Sequence, residues 1–422
     1  MTIVYKGSLC LAPMVRAGSL PTRLLALSHG VDLVWSPEII DKKIVQCTRV
    51  VNTKTNTIDY LAPIPENRKH IPDTLPELVF RTDMQGREKG KLIFQVGTSD
   101  PELAVQAALK VIDDVDGIDV NSGCPKPFSV HSGCGAALLR TPDILVDILT
   151  NLVNRVGSPN NKPISVKIRI LENEEITLDL VSKILKTGIS NLTVHCRTPS
   201  MRNRESPIRA YIPKIYELCK QHGVSLILNG GLENKLDFLK VREELGLDEE
   251  VGGMFADQAE VNPTIFLDKP LEWNDVLVNY LKIARSVDNS IHNTKYMLSR
   301  ILKAEKRYSA FSSVKSHEEI EDIMNRFYNY DTKEFDTKGA IKYSVELRQH
   351  QKAEKVRKQR EEQLKKNEEE RASKKAKNQS LNKRTNEDTS SSSAKKQRYN
   401  PFLIGLLYIQ LLLFLFSNNS FC

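Results

Sequence analysis

At 422 residues, 40% of them hydrophobic and 27% charged, the chain has room for about three domains and the composition of a globular protein. Collagen-like, disulfide-miniprotein and wholly disordered readings are excluded. Lys and Arg number 61 against 53 Asp and Glu, but 16 basic and 8 acidic residues lie within 351–398, so the net +8 belongs to that tail and the remainder is neutral. A nucleic-acid surface on the body must therefore be local.

Eight short apolar, β-branched runs come first along the chain: LCLAPM from Leu9, VDLVWSP from Val31, LIFQVG from Leu92, GIDVNSG from Gly117, ISVKIRI from Ile164, LTVHCRT from Leu192, SLILNGG from Ser225 and GGMFADQ from Gly252. Amphipathic helical spacing follows most of them, as at 101–113 after an Asp100 cap, 142–156 after Thr141 and 178–186 after Thr177. Eight alternating βα units predict a closed (β/α)8 TIM barrel over 1–265. Residues 41–81 are polar and proline-rich, which reads as a loop extending the second βα connection.

Past Pro263 the strand pattern stops. Helical spacing runs over 276–308, with seven Lys or Arg against two acids, and on to about Leu347, so 274–348 is expected to be a C-terminal helical domain. The polar 351–398 tail should be disordered or a lone charged helix. The apolar run 402–416 has fifteen residues, about 22 Å as a helix against a bilayer core of about 30 Å. A tail anchor and an artefactual C-terminus both remain open, so membrane contact through this run stays open and anchoring is not favoured. The N-terminus lacks the pattern of a secretory signal. The seven cysteines show no CxxC spacing, so neither a metal site nor a disulfide framework is signalled. A reduced compartment, cytoplasmic or nuclear, is the expectation.

In such a barrel, functional groups sit where strands end. Those positions are Pro13 and Met14, Glu38, Gln95, Asn121 with Cys124, Lys167 with Arg169, His195 with Arg197, Asn229 to Gly231, and Ala256 with Asp257. Lys167 interrupts a run that should be apolar; it either pairs with a carboxylate or stands beside an anionic ligand. His195 reads equally as a core histidine. Two glycines after Asn229 suit close backbone approach to a phosphate at a helix start, or simply a tight turn. Cys124, in NSGCPKP, has turn formers for neighbours, so its thiol faces a pocket as nucleophile or general acid.

LAPMV, SPEII, FQVG, GIDVNSGCPKPFSVHSGCGAALL, VKIRI, TVHCRT and LNGG occur in an order and at spacings that resemble the tRNA-dihydrouridine synthases, over roughly Leu9 to Leu347. NTKY at 293–296 further resembles the eukaryotic class acting on uridine 20 of the D-loop. The resemblance implies an FMN-containing barrel with a helical RNA-binding domain, reducing uridine with NADPH and tRNA as partners. Pro13, Met14, Val15, Glu38 and Gln95 would then meet the flavin ring region, with Lys167 and His195 also against the flavin. Asn229, Gly230 and Gly231 would hold its phosphate, and Cys124 would protonate C5 of the uracil. Asn121, Arg169, Arg197, Asn293, Lys295, Arg300 and Lys303 would face the RNA. The chain departs from the family at Ala256–Asp257, where a small residue followed by Arg is usual. Two rival readings remain at this point: an FMN barrel acting on a free pyrimidine or small enone, and a non-catalytic RNA-binding protein.

Overall fold

The computed structural model describes residues 3–72 and 74–388, so the 402–416 run lies outside the described residues. The described residues fall into two units that divide after Arg348.

All eight expected strands are present. Leu9–Leu11, Leu33–Trp35, Leu92–Gly97, Gly117–Ser122, Ile164–Arg169, Asn191–His195, Ser225–Asn229 and Gly252–Phe255 pair in parallel, each with the next. Leu9–Leu11 also pairs with Gly252–Phe255, which closes the cylinder. Nearly every strand residue is buried, because helices cover the outside and side chains fill the inside. Each buried Val, Leu or Ile contributes about 1.5–3 kcal/mol, which is why near-continuous apolar runs suffice to specify these strands.

The helices start close to where the sequence places them, but some caps differ. Asp100 accepts from the N–H groups of Glu102 and Leu103 at 2.9 Å and starts Pro101–Val111, as expected. The Thr177 cap is corrected. The helix is Glu174–Leu185, and Asn173 caps it by accepting from Ile176 N–H at 3.0 Å. Thr177 sits inside the first turn, where its hydroxyl donates back to the Asn173 carbonyl at 2.7 Å. Thr141 precedes Pro142–Leu152 without a side-chain cap bond.

The 41–81 loop expectation is also corrected. This insertion does extend the second βα connection, but it carries a three-stranded antiparallel sheet of Thr48–Asn52, Thr57–Leu61 and Leu78–Asp83. Its polar residues, which read as loop, are paired across and along the strands. Asp59 takes both Arg81 Nε and Nη2 at 2.6 Å, and Thr57 donates to Asp59 at 2.8 Å. Tyr60, Phe80 and Phe94 form an aromatic chain at 5.6 and 5.2 Å, which seats the sheet on the third barrel strand.

The helical run expected at 276–308 is interrupted. It comprises Trp273–Ser286, Ile291–Ile301 and a 3-10 stretch, Ala304–Phe311. The break falls where Asp288 takes φ 48°, and Val287 there packs with Leu20, Leu24 and Ile283. Ser316 caps His317–Phe327, a two-residue hairpin pairs Tyr328–Asn329 with Glu334–Phe335, and a long helix, Thr337–Asp388, follows. No helix among the described residues is long and apolar enough to cross a membrane.

Candidate active site

The barrel brings Gln95, Asp119, Asn121, Lys167 and His195 to neighbouring strands. Gln95 pairs with Asp119, Asn121 with Lys167, and His195 with both Arg169 and Asn229 in strand register. A chain of hydrogen bonds runs outward from the interior. Asp119, fully buried, accepts from Ser165 Oγ at 2.6 Å and from Gln95 Nε2 at 2.8 Å. Gln95 Oε1 accepts from Asn121 Nδ2 at 3.1 Å, and Asn121 Oδ1 accepts from the N–H groups of Gly123 and Cys124, both at 3.0 Å. The carboxylate can only accept, so it fixes which way the Gln95 amide faces, and through it the Asn121 amide. The Cys124 loop therefore hangs from a polar ladder rooted in the barrel.

That loop is held from below as well. Arg169 Nε donates to the Gly123 carbonyl at 2.8 Å and Nη1 to Thr198 O at 2.9 Å. Ala136 N–H donates to Cys124 O at 2.9 Å, and Gly135 at φ 60° lets the two segments approach, since a Cβ there would collide with that carbonyl and with Ser129 Oγ. The Cys124 side chain is half-buried and hydrogen-bonded to Glu38, whose Oε1 also accepts from Ser129 Oγ at 2.8 Å. Burial first, then the Glu38 carboxylate, push the thiol above its ordinary value. A thiol held protonated is suited to give a proton and ill suited to act as a thiolate nucleophile.

Cations gather beside this loop. Burial and Arg169 lower Lys167 to about 8, with Asp119 opposing, and its ammonium has no hydrogen-bond partner among the described residues. Burial, then Lys167, Arg169 and Arg197, hold His195 neutral. Arg197 Nη1 lies 3.3 Å from His195 Nε2, so in the neutral ring that nitrogen accepts. Gly230 and Gly231 take φ of 112° and 68°, and a Cβ on Gly230 would meet the His195 ring at 2.8 Å. Both glycines, with Asn229, Arg197, Asn203, Ala256 and Asp257, line a cavity of about 180 Å³. Arg209 donates from Nη2 to the Gly230 carbonyl at 3.0 Å, while its buried Nε has no partner. Lys167, Arg169, Arg197 and Arg209 thus meet Asp119, Asp257 and Glu205, a positive balance that suits a bound anion. Asp257 is exposed and accepts from Asn203 Nδ2 at 2.8 Å.

Pro13 and Met14 sit at the first strand end, with Met14 buried and Val15 exposed. Val15, Pro37 and Glu38 line a cleft of about 480 Å³ shared with Arg16 and Asn293. Of the helical residues, Asn293 reaches this cleft, while Lys295, Arg300 and Lys303 do not line it. Asn293 ties Ser19 Oγ (2.9 Å) to the Arg16 carbonyl (2.7 Å), and Lys295 donates to the Ser312 and Val314 carbonyls at 2.8 and 2.9 Å. Arg300 lies 2.7 Å from Glu260, and Lys303 is exposed. Sequence reasoning missed Asp119, Ser165, Asn203 and Arg209. An acid within an apolar parallel strand is the same signal that marked Lys167, and it was legible at Asp119. Arg209 and Asn203 stand on an irregular connection with no periodicity to mark them. Among the described residues no group of three or more His, Cys, Asp or Glu comes together as a metal cluster would.

The dihydrouridine synthase family pattern matches residues 32–395. The tRNA-dihydrouridine(20) synthase (NAD(P)+) of Saccharomyces cerevisiae is 51% identical over 331 residues, covering 77% of this chain and 85% of that protein. Its namesake from Schizosaccharomyces pombe is 44% identical over 327 residues, covering 76% of this chain and 65% of that protein. A mouse protein, tRNA-dihydrouridine(20a/20b) synthase (NAD(P)+)-like, is 28% identical over 323 residues, covering 75% of this chain and 88% of its own.

Proposed function

The chain belongs to the dihydrouridine synthase family, and from that premise we propose that it reduces a uridine of the tRNA D-loop, at position 20, to dihydrouridine. FMN is the resident cofactor and NADPH the reductant. The observation that carries the reading is a thiol held protonated by burial and Glu38 at the same barrel mouth as a surplus of cations, among them a half-buried lysine with no hydrogen-bond partner among the described residues.

The residues fit a phosphorylated flavin. Gly230, at a φ closed to most side chains, leaves backbone open beside His195, and the unpaired Arg209 Nε lies next to it. Asn229, Gly230, Gly231, Ala256 and Asp257 would surround the phosphate. Pro13, Met14, Val15, Glu38, Gln95, Lys167 and His195 would surround the ring system. When bound, FMN supplies hydride to C6 of the uracil.

The protein's own groups do the rest. A base inside folded RNA must be extruded to reach the barrel mouth. Asn121 and Arg169 hold the Cys124 loop so that Sγ can give its proton to C5. The excess of cations stabilises negative charge in the pocket, Lys167 foremost. Neutral His195 offers no competing proton. The helical segment 274–348 is assigned to tRNA binding, with Lys303 exposed there, while Asn293, Lys295 and Arg300 are taken up by hydrogen bonds and an ion pair within the chain. The free thiols at Cys10, Cys47, Cys124, Cys134, Cys196 and Cys219 agree with the cytoplasm or nucleus.

Mass spectrometry of tRNA from cells lacking this protein tests the reading. Position 20 should be uridine, two hydrogens lighter than in the parent, and should be restored by the intact chain. Unchanged dihydrouridine at that position would reject it.

A further inference from the structure

A second cavity, of about 510 Å³, lies beside the helix Ile291–Ile301. Arg16, His292, Lys295, Tyr296, Tyr308 and Lys315 line it, and no carboxylate does. Lys295 is committed to the Ser312 and Val314 carbonyls. Arg16, His292 and Lys315 are exposed. The nearest acids are engaged: Glu260 faces Arg300 at 2.7 Å and accepts from the Tyr296 hydroxyl at 3.5 Å, and Glu319 accepts from the Lys315 backbone N–H at 2.6 Å. The open first turn of an eleven-residue helix borders the same space, and its N–H groups add to the positive potential.

Arg16 is the unusual member. It holds φ at 71°, in the left-handed region that disfavours a side chain of its length. The strain is fixed by Asn293, whose Nδ2 donates to the Arg16 carbonyl at 2.7 Å. Its guanidinium lies 4.9 Å from the Tyr296 ring centre, a cation–π contact. Arg16 also lines the cleft that Val15, Pro37 and Glu38 share, so it stands between the Cys124 side of the barrel and the second cavity. Glu38, which contacts Cys124, lines that cleft, so Arg16 lies along the way from the thiol to the second cavity.

We propose that this cavity is a nucleotide subsite for the RNA, in which Arg16 and Lys315 hold a phosphodiester next to the extruded base and Tyr296 and Tyr308 contact the flanking nucleoside. The proposal rests on the reading of the site as an RNA-modifying one. It moves the open cations of RNA contact from Lys295 and Arg300, which the fold uses internally, to Arg16 and Lys315.

The test uses the full-length, FMN-loaded protein as wild type, R16Q/K315Q and K282Q, the last removing an exposed lysine elsewhere on the helical segment. Dissociation constants for unmodified tRNA are measured across a salt series, together with NADPH-driven flavin reduction in the absence of RNA. The double variant should bind tRNA at least about tenfold more weakly, with a salt slope reduced by about 1, as expected for one lost phosphate contact. Flavin reduction and the KM for NADPH should stay within about twofold, and K282Q should match wild type. A tRNA affinity unchanged within twofold, or an equal loss in K282Q, would overturn the proposal. So would a raised KM for NADPH with tRNA binding intact, which would assign the cavity to the reductant. If the wild type binds tRNA but reduces no uridine, the reaction reading fails while the binding series still judges the subsite.

Discussion

The barrel mouth and the helical segment are both rich in cations, and the two regions use them in opposite ways. At the mouth, Lys167 has no hydrogen-bond partner among the described residues, and Arg209 Nε is buried without a partner. Along the helices, Arg285 meets Glu318 at 2.7 Å, Lys333 meets Asp275 at 2.9 Å, Arg300 meets Glu260, and Arg307 lies 4.3 Å over Trp273. Unsatisfied charge is costly where it is buried, so its presence at the barrel mouth marks a ligand site. A surplus of charge on a helix face marks nothing until its partners are known, because exposed pairs contribute at most about 1 kcal/mol and form readily.

The largest expected effect breaks the barrel side of this contrast. Cys124→Ala should lower uridine reduction by about 10²–10⁴-fold, the usual worth of a general acid, while flavin stays bound and reducible by NADPH. Single-turnover assays separate the two half-reactions, and near-normal uridine turnover would make the thiol structural.

Asp119→Asn should cost about tenfold in kcat. An amide can donate as well as accept, so the direction of the Gln95 and Asn121 amides is no longer fixed. The same residue sets a pH limit. Burial raises Asp119 to about 6, so its carboxylate is lost as pH falls through that value, while Lys167, lowered to about 8, loses its charge as pH rises through that one. Turnover should therefore fall on both sides of this window, and the acid limb should disappear in Asp119→Asn. A pH profile whose acid limb is the same in both proteins would contradict the assignment.

A smaller change is expected for the charged helix. Truncation after Arg348 should leave the flavin spectrum and melting temperature intact and weaken tRNA binding by no more than about tenfold at low salt, since the tail's contribution would be non-specific phosphate attraction. A truncated chain that loses flavin would make the long helix part of the barrel's support.

The smallest effect is predicted at Asp257. Its carboxylate is exposed and held by Asn203, so Asp257→Arg should change FMN affinity by no more than about threefold, typical of exposed charge. A tenfold gain by fluorescence titration would show that the carboxylate opposes the phosphate directly.

How much of this was legible in the sequence follows the same division. A parallel strand buried on both faces needs a continuous apolar run, so all eight strands and the residues at their ends could be read directly, and Cys124, Lys167, His195 and Gly230 lie where strand ends place them. The insertion sheet could not be read that way, because Asp59 is satisfied by Arg81 across the strand pair and by Thr57 along its own strand, and such residues look like loop until paired. Asn173 rather than Thr177 caps its helix because the acidic first turn, Glu174 and Glu175, is itself helical. Asn293, Lys295 and Arg300 were marked by charge and spacing alone, and neither shows that a side chain is already occupied by a carbonyl or carboxylate from another part of the chain.

The central claim is that this barrel mouth reduces a tRNA uridine and that Cys124 supplies the proton. The most direct measurement incubates an unmodified tRNA transcript with the FMN-loaded protein and NADPH in deuterium oxide, then maps mass by fragment. The account predicts a single dihydrouridine at position 20, carrying solvent deuterium at C5, formed by wild type and not by Cys124→Ala. Dihydrouridine formed equally by both proteins, or none formed by wild type with NADPH oxidised freely, would contradict it.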